Sequence, residues 1–142
     1  MAGADGVIRG PAGQGRVAAV SQDDIADAAV AVLRRPGDHE RQTYDLTGPV
    51  AVTLDEVAAT LAAVTGREIT YVDETLEEAR ASRAAYGAPD WEVDAWISSY
   101  TAIAAGELER ISPDVVRLAG QEPMTLEELL AAHPGSLRHL GG

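Results

Sequence analysis

Hydrophobic and polar positions follow two different periods along the first half of the chain. Short runs of β-branched and alternating residues predict four strands, at 7–9, 17–20, 42–47 and 68–73. Between them, apolar residues at i, i+3, i+4 and i+7 predict two helices, each with one buried face. Five residues are expected to point inward from the first helix (Ile25, Ala28, Ala29, Val32, Leu33) and three from the second, which runs over 53–65 (Val57, Leu61, Val64).

After residue 75 the apolar spacing is helical throughout. We predict helices at 76–86, 89–105, 113–118 and 126–133. Ser21 is a candidate N-cap for the first helix of the chain, and Gly66 a candidate C-cap for the second. Three helix starts carry the capping-box sequence of threonine followed three residues later by glutamate: Thr53 with Glu56, Thr75 with Glu78, and Thr125 with Glu128. The fold class predicted is therefore α/β, with a few short strands and helices in the first half and a helical cap in the second.

Composition limits the size of the core and the chemistry. The 142 residues fit one domain, 1–142. Alanine supplies 26 of them, large aliphatic residues only 31, and phenylalanine is absent, so the core is expected to be thin. All 11 basic residues are arginine. A chain without lysine has no Walker lysine, no Schiff-base lysine and no Tyr-x-x-x-Lys pair of classical short-chain dehydrogenases.

Charge narrows the range of partners. A net charge of −12 opposes binding to a phosphate backbone, so nucleic acid is not an expected partner. No run of about 18 apolar residues predicts a membrane span, and the first ten residues lack the features of a signal peptide. The absence of cysteine fits a reducing compartment, and we expect a cytoplasmic protein.

The segment Gly13-Gln-Gly15-Arg-Val-Ala18 fits the letters of a dinucleotide-binding fingerprint. That motif must join a strand directly to a helix, whereas here a strand-like run precedes the helix. We therefore interpret the segment as a hairpin or connecting loop and predict no cofactor-binding residue in this chain. The histidines, at 39, 133 and 139, lack the i, i+4 spacing of a helical metal pair, so no metal site is predicted. No residue carries a recognisable catalytic signature.

Four of the six aromatic residues fall between positions 86 and 100: Tyr86, Trp91, Trp96 and Tyr100. They surround a Gly-Ala-Pro break between two predicted helices. Such a cluster can line an apolar concavity for a ring-shaped substrate. It can equally fill the core of an alanine-rich domain, and the sequence leaves both interpretations open. We take the four residues as candidate substrate-binding residues.

Several segments, in order along the chain, spell the pattern of a known family. They are 6–18, Asp24-Ile-Ala26, Tyr44-Asp-Leu-Thr-Gly-Pro49, Thr65-Gly-Arg67 and 118–129. Together they resemble the C-terminal half of NmrA-like atypical short-chain dehydrogenases, closest to the NAD(P)H:quinone oxidoreductase branch. In full-length members of that family, which are about twice as long, the N-terminal half holds NAD(P)H on a Rossmann sheet and the C-terminal half forms a cap over the substrate.

The resemblance implies that this chain is a partial, Rossmann-associated substrate domain without the Rossmann half. A truncated reading frame, a cloned fragment and a stand-alone cap domain all fit. Two functions follow: the substrate-side domain of an NAD(P)H-dependent oxidoreductase, inactive alone, or a non-enzymatic NmrA-type regulatory or interaction module. The expected partners are a Rossmann domain or a second copy of the chain in a homodimer, together with a small apolar ligand.

Overall fold

The computed structural model describes residues 5–137. Two strands, β1 (Val7–Gly10) and β2 (Thr70–Asp73), are accompanied by six α-helices. The helices are α1 (Gln22–Arg34), α2 (Leu54–Thr65), α3 (Leu76–Arg83), α4 (Asp90–Ala104), α5 (Asp114–Ala119) and α6 (Leu126–Ala132). Short 3-10 helices follow α1 at Pro36–His39, α3 at Ala84–Tyr86 and α6 at Pro134–Leu137. The predicted α/β class, with a helical second half, is confirmed.

β1 and β2 pair in parallel, with Val7 opposite Thr70 and Gly10 opposite Asp73. Parallel neighbours need a long crossover, and here α1 and α2 both lie in the connection. Both strands therefore end at the same edge of the sheet. In the described part of the chain, no helix is long and apolar enough to cross a membrane.

The predicted helix caps are confirmed. The Ser21 hydroxyl accepts the Asp24 N–H at 3.0 Å at the start of α1. All three predicted capping boxes form, at the starts of α2, α3 and α6. Gly66 ends α2 in the left-handed region, at φ 68°, where glycine carries no Cβ penalty. Local chemistry therefore sets these helix boundaries.

The main core lies between the sheet, α2 and α6. Ile8, Leu54, Leu61, Ile69 and Leu130 are buried there, with Ile103 of α4 at one side. A smaller cluster of Ala79, Val93 and Ile97 joins α3 to α4. Two alanines, Ala12 and Ala58, are buried in the main core beside the larger aliphatic residues.

Two predicted strands are not regular strands in the structure. Of residues 17–20, only Val17 pairs, in a single antiparallel bridge with Val52. Residues 42–47 are extended but form no ladder among the described residues; instead the Asp45 N–H donates to the Asp114 carboxylate at 3.0 Å. A strand needs a neighbouring backbone, and here side chains and loops take that place.

The predicted inward faces of α1 and α2 are partly wrong. In α1, Ile25 is 40% and Leu33 76% exposed, while Asp24 and Ala28 are buried. α1 packs against α5. The face buried by this contact includes Asp24 and lies one residue away from the predicted apolar face, which includes Ile25. In α2, Val57 and Leu61 are buried as predicted, but Val64 is 46% exposed.

Candidate functional site at the carboxyl end of the sheet

β1 and β2 end side by side at Gly10 and Asp73. In α/β folds, ligands bind outside the carboxyl ends of parallel strands, where loops replace the ladder. Here the loop 11–16 leaves β1, and α3 and α4 follow β2. This edge of the sheet is the candidate functional site.

Tyr71 fixes the loop that leaves β1. Its hydroxyl lies 2.7 Å from the Gly10 carbonyl and 3.0 Å from Asp73 Oδ1, and it accepts the Ala12 N–H at 3.0 Å. Burial, reinforced by the neighbouring Asp73 carboxylate, raises the pKa of Tyr71 to about 12. The Tyr71 hydroxyl thus joins the end of β1, the loop after it and the end of β2.

Asp73 holds the next turn of the loop. Its Oδ1 accepts the Gly13 N–H at 2.9 Å.

Two glycines of the segment 10–15 lie directly against α4. A Cβ at Gly10 would overlap the Tyr100 ring, and one at Gly15 would overlap the Ile103 carbonyl. Glycine is required at both positions by the close approach of the loop to the helix.

The geometry of the loop shows whether the dinucleotide-like segment at 13–18 can bind a dinucleotide. The segment leads into the bridge residue Val17, and α1 starts only at Gln22, so it does not join a strand to a helix. The Gly13 N–H, which would have to face a pyrophosphate, is bonded to Asp73. The residues present do not fit a dinucleotide, in agreement with their interpretation as a connecting loop.

A buried ion pair ties the site together. Arg83 and Glu74 have side chains only 10% and 6% exposed, and the guanidinium donates to the Glu74 carboxylate at 2.9 Å. The guanidinium also donates to the Ala79 carbonyl at 2.9 Å and to the Arg9 carbonyl at 3.1 Å. It stands 5.3 Å from the Tyr100 ring centroid, in cation–π geometry. One side chain thus connects β1, the residue that follows β2, α3 and α4.

The four candidate aromatic residues occupy two different environments. Tyr86 and Trp96 meet edge to face, with ring centroids 6.0 Å apart. Trp96 is half-buried against the α3–α4 cluster, and Tyr100 is half-buried beneath Arg83. Tyr86 and Trp91 are 75% and 72% exposed. Trp96 and Tyr100 thus contribute to packing, while Tyr86 and Trp91 offer open ring surface.

Sequence reasoning did not single out Tyr71, Asp73, Glu74 or Arg83. Tyr71 and Asp73 lie at the end of a predicted strand, a position that is itself a signal for a site in a parallel sheet. Glu74 and Arg83 are nine residues apart and share no helical face. No local pattern marks them as partners.

The two histidines in the described part of the chain each lie against one polar side chain. His39 Nδ1 lies 2.7 Å from the Tyr44 hydroxyl, and His133 Nε2 lies 2.6 Å from Asp23 Oδ2. His139 lies outside the described residues. Within residues 5–137, no three His, Asp or Glu side chains come together as metal ligands.

Comparisons with known proteins extend this description. No family profile matches the chain. An NAD(P)H azoreductase of Xenophilus azovorans is 37% identical over 123 residues, which is 87% of this chain and 43% of that protein. Quinone oxidoreductase 2 of Escherichia coli is 33% identical over the same shares.

Solved structures agree with the sequence comparison. An E. coli NADPH-dependent quinone oxidoreductase in complex with NADPH matches with a TM-score of 0.83 at 32% identity, over 92% of this chain and 46% of that one. A Citrobacter triphenylmethane reductase in complex with NADP(H) matches with a TM-score of 0.80 at 30% identity, over 92% and 45%. The chain thus spans less than half the length of these relatives.

Proposed function

The chain belongs to the family of NAD(P)H quinone oxidoreductases, azoreductases and NmrA-like proteins, whose C-terminal half it matches, and on that premise we propose that it is the substrate-side domain of such an oxidoreductase. The substrate class proposed is a planar, apolar electron acceptor of the quinone type. In this proposal another part of the protein binds the dinucleotide, since the residues at 13–18 do not fit one.

The observation that carries the proposal is the exposed aromatic surface at the junction of α3 and α4, the two helices that follow β2. Tyr86 lies three residues after Arg83, which connects α3 to β1 and to the residue that follows β2. Exposed rings cost free energy in water, and they stack on flat apolar molecules. The Tyr86 and Trp91 rings are therefore the proposed contacts for the substrate, with Trp96 and Tyr100 supporting them from the half-buried side.

We propose that the polar groups of the site hold the surrounding strand ends and helices in place and do not react with the substrate. Tyr71, Asp73, Glu74 and Arg83 are all engaged in hydrogen bonds within the chain. Hydride reduction of a quinone needs a donor held at a fixed distance, and this chain supplies one wall of that arrangement. The isolated chain is accordingly expected to be inactive.

Tryptophan fluorescence tests the substrate surface. The chain has two tryptophans, so Trp91→Phe and Trp96→Phe each leave a single emitter. Titration with 1,4-naphthoquinone should quench the remaining tryptophan in both variants with saturation, and Tyr86→Ala should weaken the binding. Acrylamide, a collisional quencher, is the control. Linear quenching by the quinone in proportion to acrylamide access would exclude a specific surface.

Calorimetry tests the dinucleotide part of the proposal. Titration of the chain with NADPH should give no saturable heat, because no strand-to-helix glycine turn is available to hold the pyrophosphate. A dissociation constant in the micromolar range would overturn this assignment.

The outer face of α1 supports a protein contact in the same proposal. Ile25, Ala29 and Leu33 follow one another at i, i+4 and i+8, and Leu33 is 76% exposed. We propose that this face contacts a second copy of the chain, in a two-fold dimer, or a dinucleotide-binding domain. Sedimentation equilibrium over about 1 to 100 µM should show mass increasing with concentration, and Leu33→Ser should shift it toward the monomer. A constant monomer mass would exclude the dimer.

A further inference from the structure

A groove lined by none of the proposed substrate contacts lies elsewhere in the fold. It runs between α1, the 3-10 helix Pro36–His39 and α5, and has a volume of about 570 Å³. That volume is within the range of about 300 to 1,000 Å³ typical of small-ligand sites. Its apolar wall consists of Val30, Ala31, Leu118 and Ala119.

Three of the chain's 11 arginines line this groove: Arg34, Arg35 and Arg117. Arg117 pairs with Asp114 at 2.9 Å. Arg34 and Arg35 make no ion pair or hydrogen bond through their side chains within the described residues. The chain carries 23 acidic residues, so two arginines without an ion pair in the lining of one groove are unexpected in it.

Other charged and polar groups face the same groove. Asp27 is engaged, because its Oδ2 accepts from the Gln121 amide at 2.9 Å. Asp38 also lines the groove and forms no ion pair in the described part of the chain. His39 lies within hydrogen-bond distance of the Tyr44 hydroxyl through Nδ1, which leaves Nε2 on the other side of the ring. The lining therefore carries three guanidinium groups against two carboxylates, because the neutral Gln121 amide leaves the charge of Asp27 in place.

Helix dipoles explain part of this arrangement. Arg34 and Arg117 occupy the last turns of α1 and α5, where positive charge is favourable. That effect acts equally on residues of a flat or convex surface. It does not account for a concavity with an apolar wall, nor for Arg35, which lies beyond the last residue of α1.

We propose that this groove binds a small molecule that carries a phosphate monoester on an apolar body. Guanidinium groups match the oxygens of a phosphate in paired, charge-assisted hydrogen bonds. Arg34 and Arg35 supply those donors, and the wall of Val30, Ala31 and Leu118 receives the apolar body. At a net charge of −12 the protein as a whole repels anions, so any saturable binding must come from a local site.

The proposed groove and the proposed quinone surface can be tested independently of each other. The groove uses α1, α5 and the 3-10 helix Pro36–His39, whereas the quinone surface uses α3, α4 and the sheet edge. If the quinone does not quench the tryptophans, the proposal for the groove still stands. If phenyl phosphate does not bind, the proposal for the quinone surface still stands.

Nuclear magnetic resonance titration of the 142-residue chain with phenyl phosphate at low ionic strength tests the proposal. The His39 ring signals should shift with saturation, and the paired variant Arg34→Gln with Arg35→Gln should weaken binding at least about tenfold. Arg80→Gln on α3 is the matched control: it removes one positive charge from an exposed ion pair with Asp94, outside the groove, and should leave binding unchanged.

The remaining probes separate the parts of the ligand. Inorganic phosphate should bind more weakly than phenyl phosphate, and phenol should not bind, if charge and apolar wall act together. Tighter binding of benzoate than of phenyl phosphate would overturn the assignment to phosphate. If Arg80→Gln weakened phenyl phosphate binding equally, or if the titration did not saturate, the assignment of the groove as the binding site would be overturned. A circular dichroism melt confirms that each variant folds, and the single Arg35→Gln variant serves if the double one does not.

Discussion

Two buried carboxylates, in two regions of the molecule, are stabilised in opposite ways. Glu74, at the carboxyl end of the sheet, is 8% exposed and pairs with Arg83. Asp24, at the start of α1, is fully buried and forms no ion pair among the described residues: its Oδ2 accepts from the Ser21 hydroxyl and the Met124 N–H, and its Oδ1 has no partner there.

The difference shows how each region is built. At the sheet edge an ion pair and the Tyr71 hydroxyl satisfy the polar groups of the strand ends and of α3. At α1 a carboxylate joins the helix start to the segment before α6 through neutral donors only, and the apolar face of the same helix remains exposed. The two regions thus differ in what they leave exposed: the polar groups of the sheet edge are bonded within this chain, whereas α1 leaves Ile25 and Leu33 exposed.

The largest effect is expected from Arg83→Met. It leaves Glu74 buried without its cation, and breaking such a pair costs about 3 to 5 kcal/mol. Urea denaturation measures the loss. The double variant with Glu74→Met should recover most of it, because the uncompensated charge is removed as well. An unchanged unfolding midpoint in Arg83→Met would mean that the pair does not stabilise the edge.

The second-largest loss of stability is expected where the loop 11–16 contacts α4. Gly15→Ala places a methyl group against the Ile103 carbonyl, and overpacking of this kind costs about 1 to 3 kcal/mol. Gly37→Ala, in the other region, is the matched control, because a Cβ there meets no atom within 4 Å. Thermal unfolding of both variants should show a loss only for Gly15→Ala. Equal melting temperatures would contradict the close approach of the loop.

Amide replacements compare the two carboxylates directly. Glu74→Gln removes the charge that Arg83 requires, and should destabilise by about 1 to 3 kcal/mol. Asp24→Asn removes a buried charge that forms no ion pair among the described residues, and should cost clearly less. Denaturation of the two variants under the same conditions gives the difference. Equal losses would show that neutral donors hold a buried carboxylate as well as a guanidinium does.

The smallest effect is expected on the stability of the protein in acid, and it should be similar at α3 and α6. The backbone N–H of Thr75 at α3, and that of Thr125 at α6, each donate to the capping glutamate and lower the pKa of Glu78 and Glu128 below the ordinary value of 4.5. A lowered folded-state pKa stabilises the protein above the unfolded value, and that stability is lost as the pH falls through the folded value.

The melting temperature should accordingly fall from about pH 5 to pH 3. Glu78→Gln and Glu128→Gln should each reduce this dependence to a similar extent. If only one of the two variants does so, one capping box does not persist in solution.

Local patterns predicted the helices well and their orientation less well. The three capping boxes and the Gly66 cap need only residues within one turn, so the sequence contains all the required information. The face of α1 is set instead by its contact with α5, some ninety residues away, and Ile25 and Leu33 were therefore assigned wrongly to the core. The strand predicted at 42–47 failed for the same reason, since pairing depends on a neighbour.

For this protein the sequence by itself determined the α/β class, the helix boundaries, the exclusion of lysine chemistry and the family. Each of these depends on residue identity or on contacts within a few positions. Only the tertiary structure decided which strands pair, that Arg83 reaches Glu74 and β1, and that Arg34, Arg35 and Arg117 line one groove. These features join residues distant along the chain, and local periodicity carries no information about which distant residues meet.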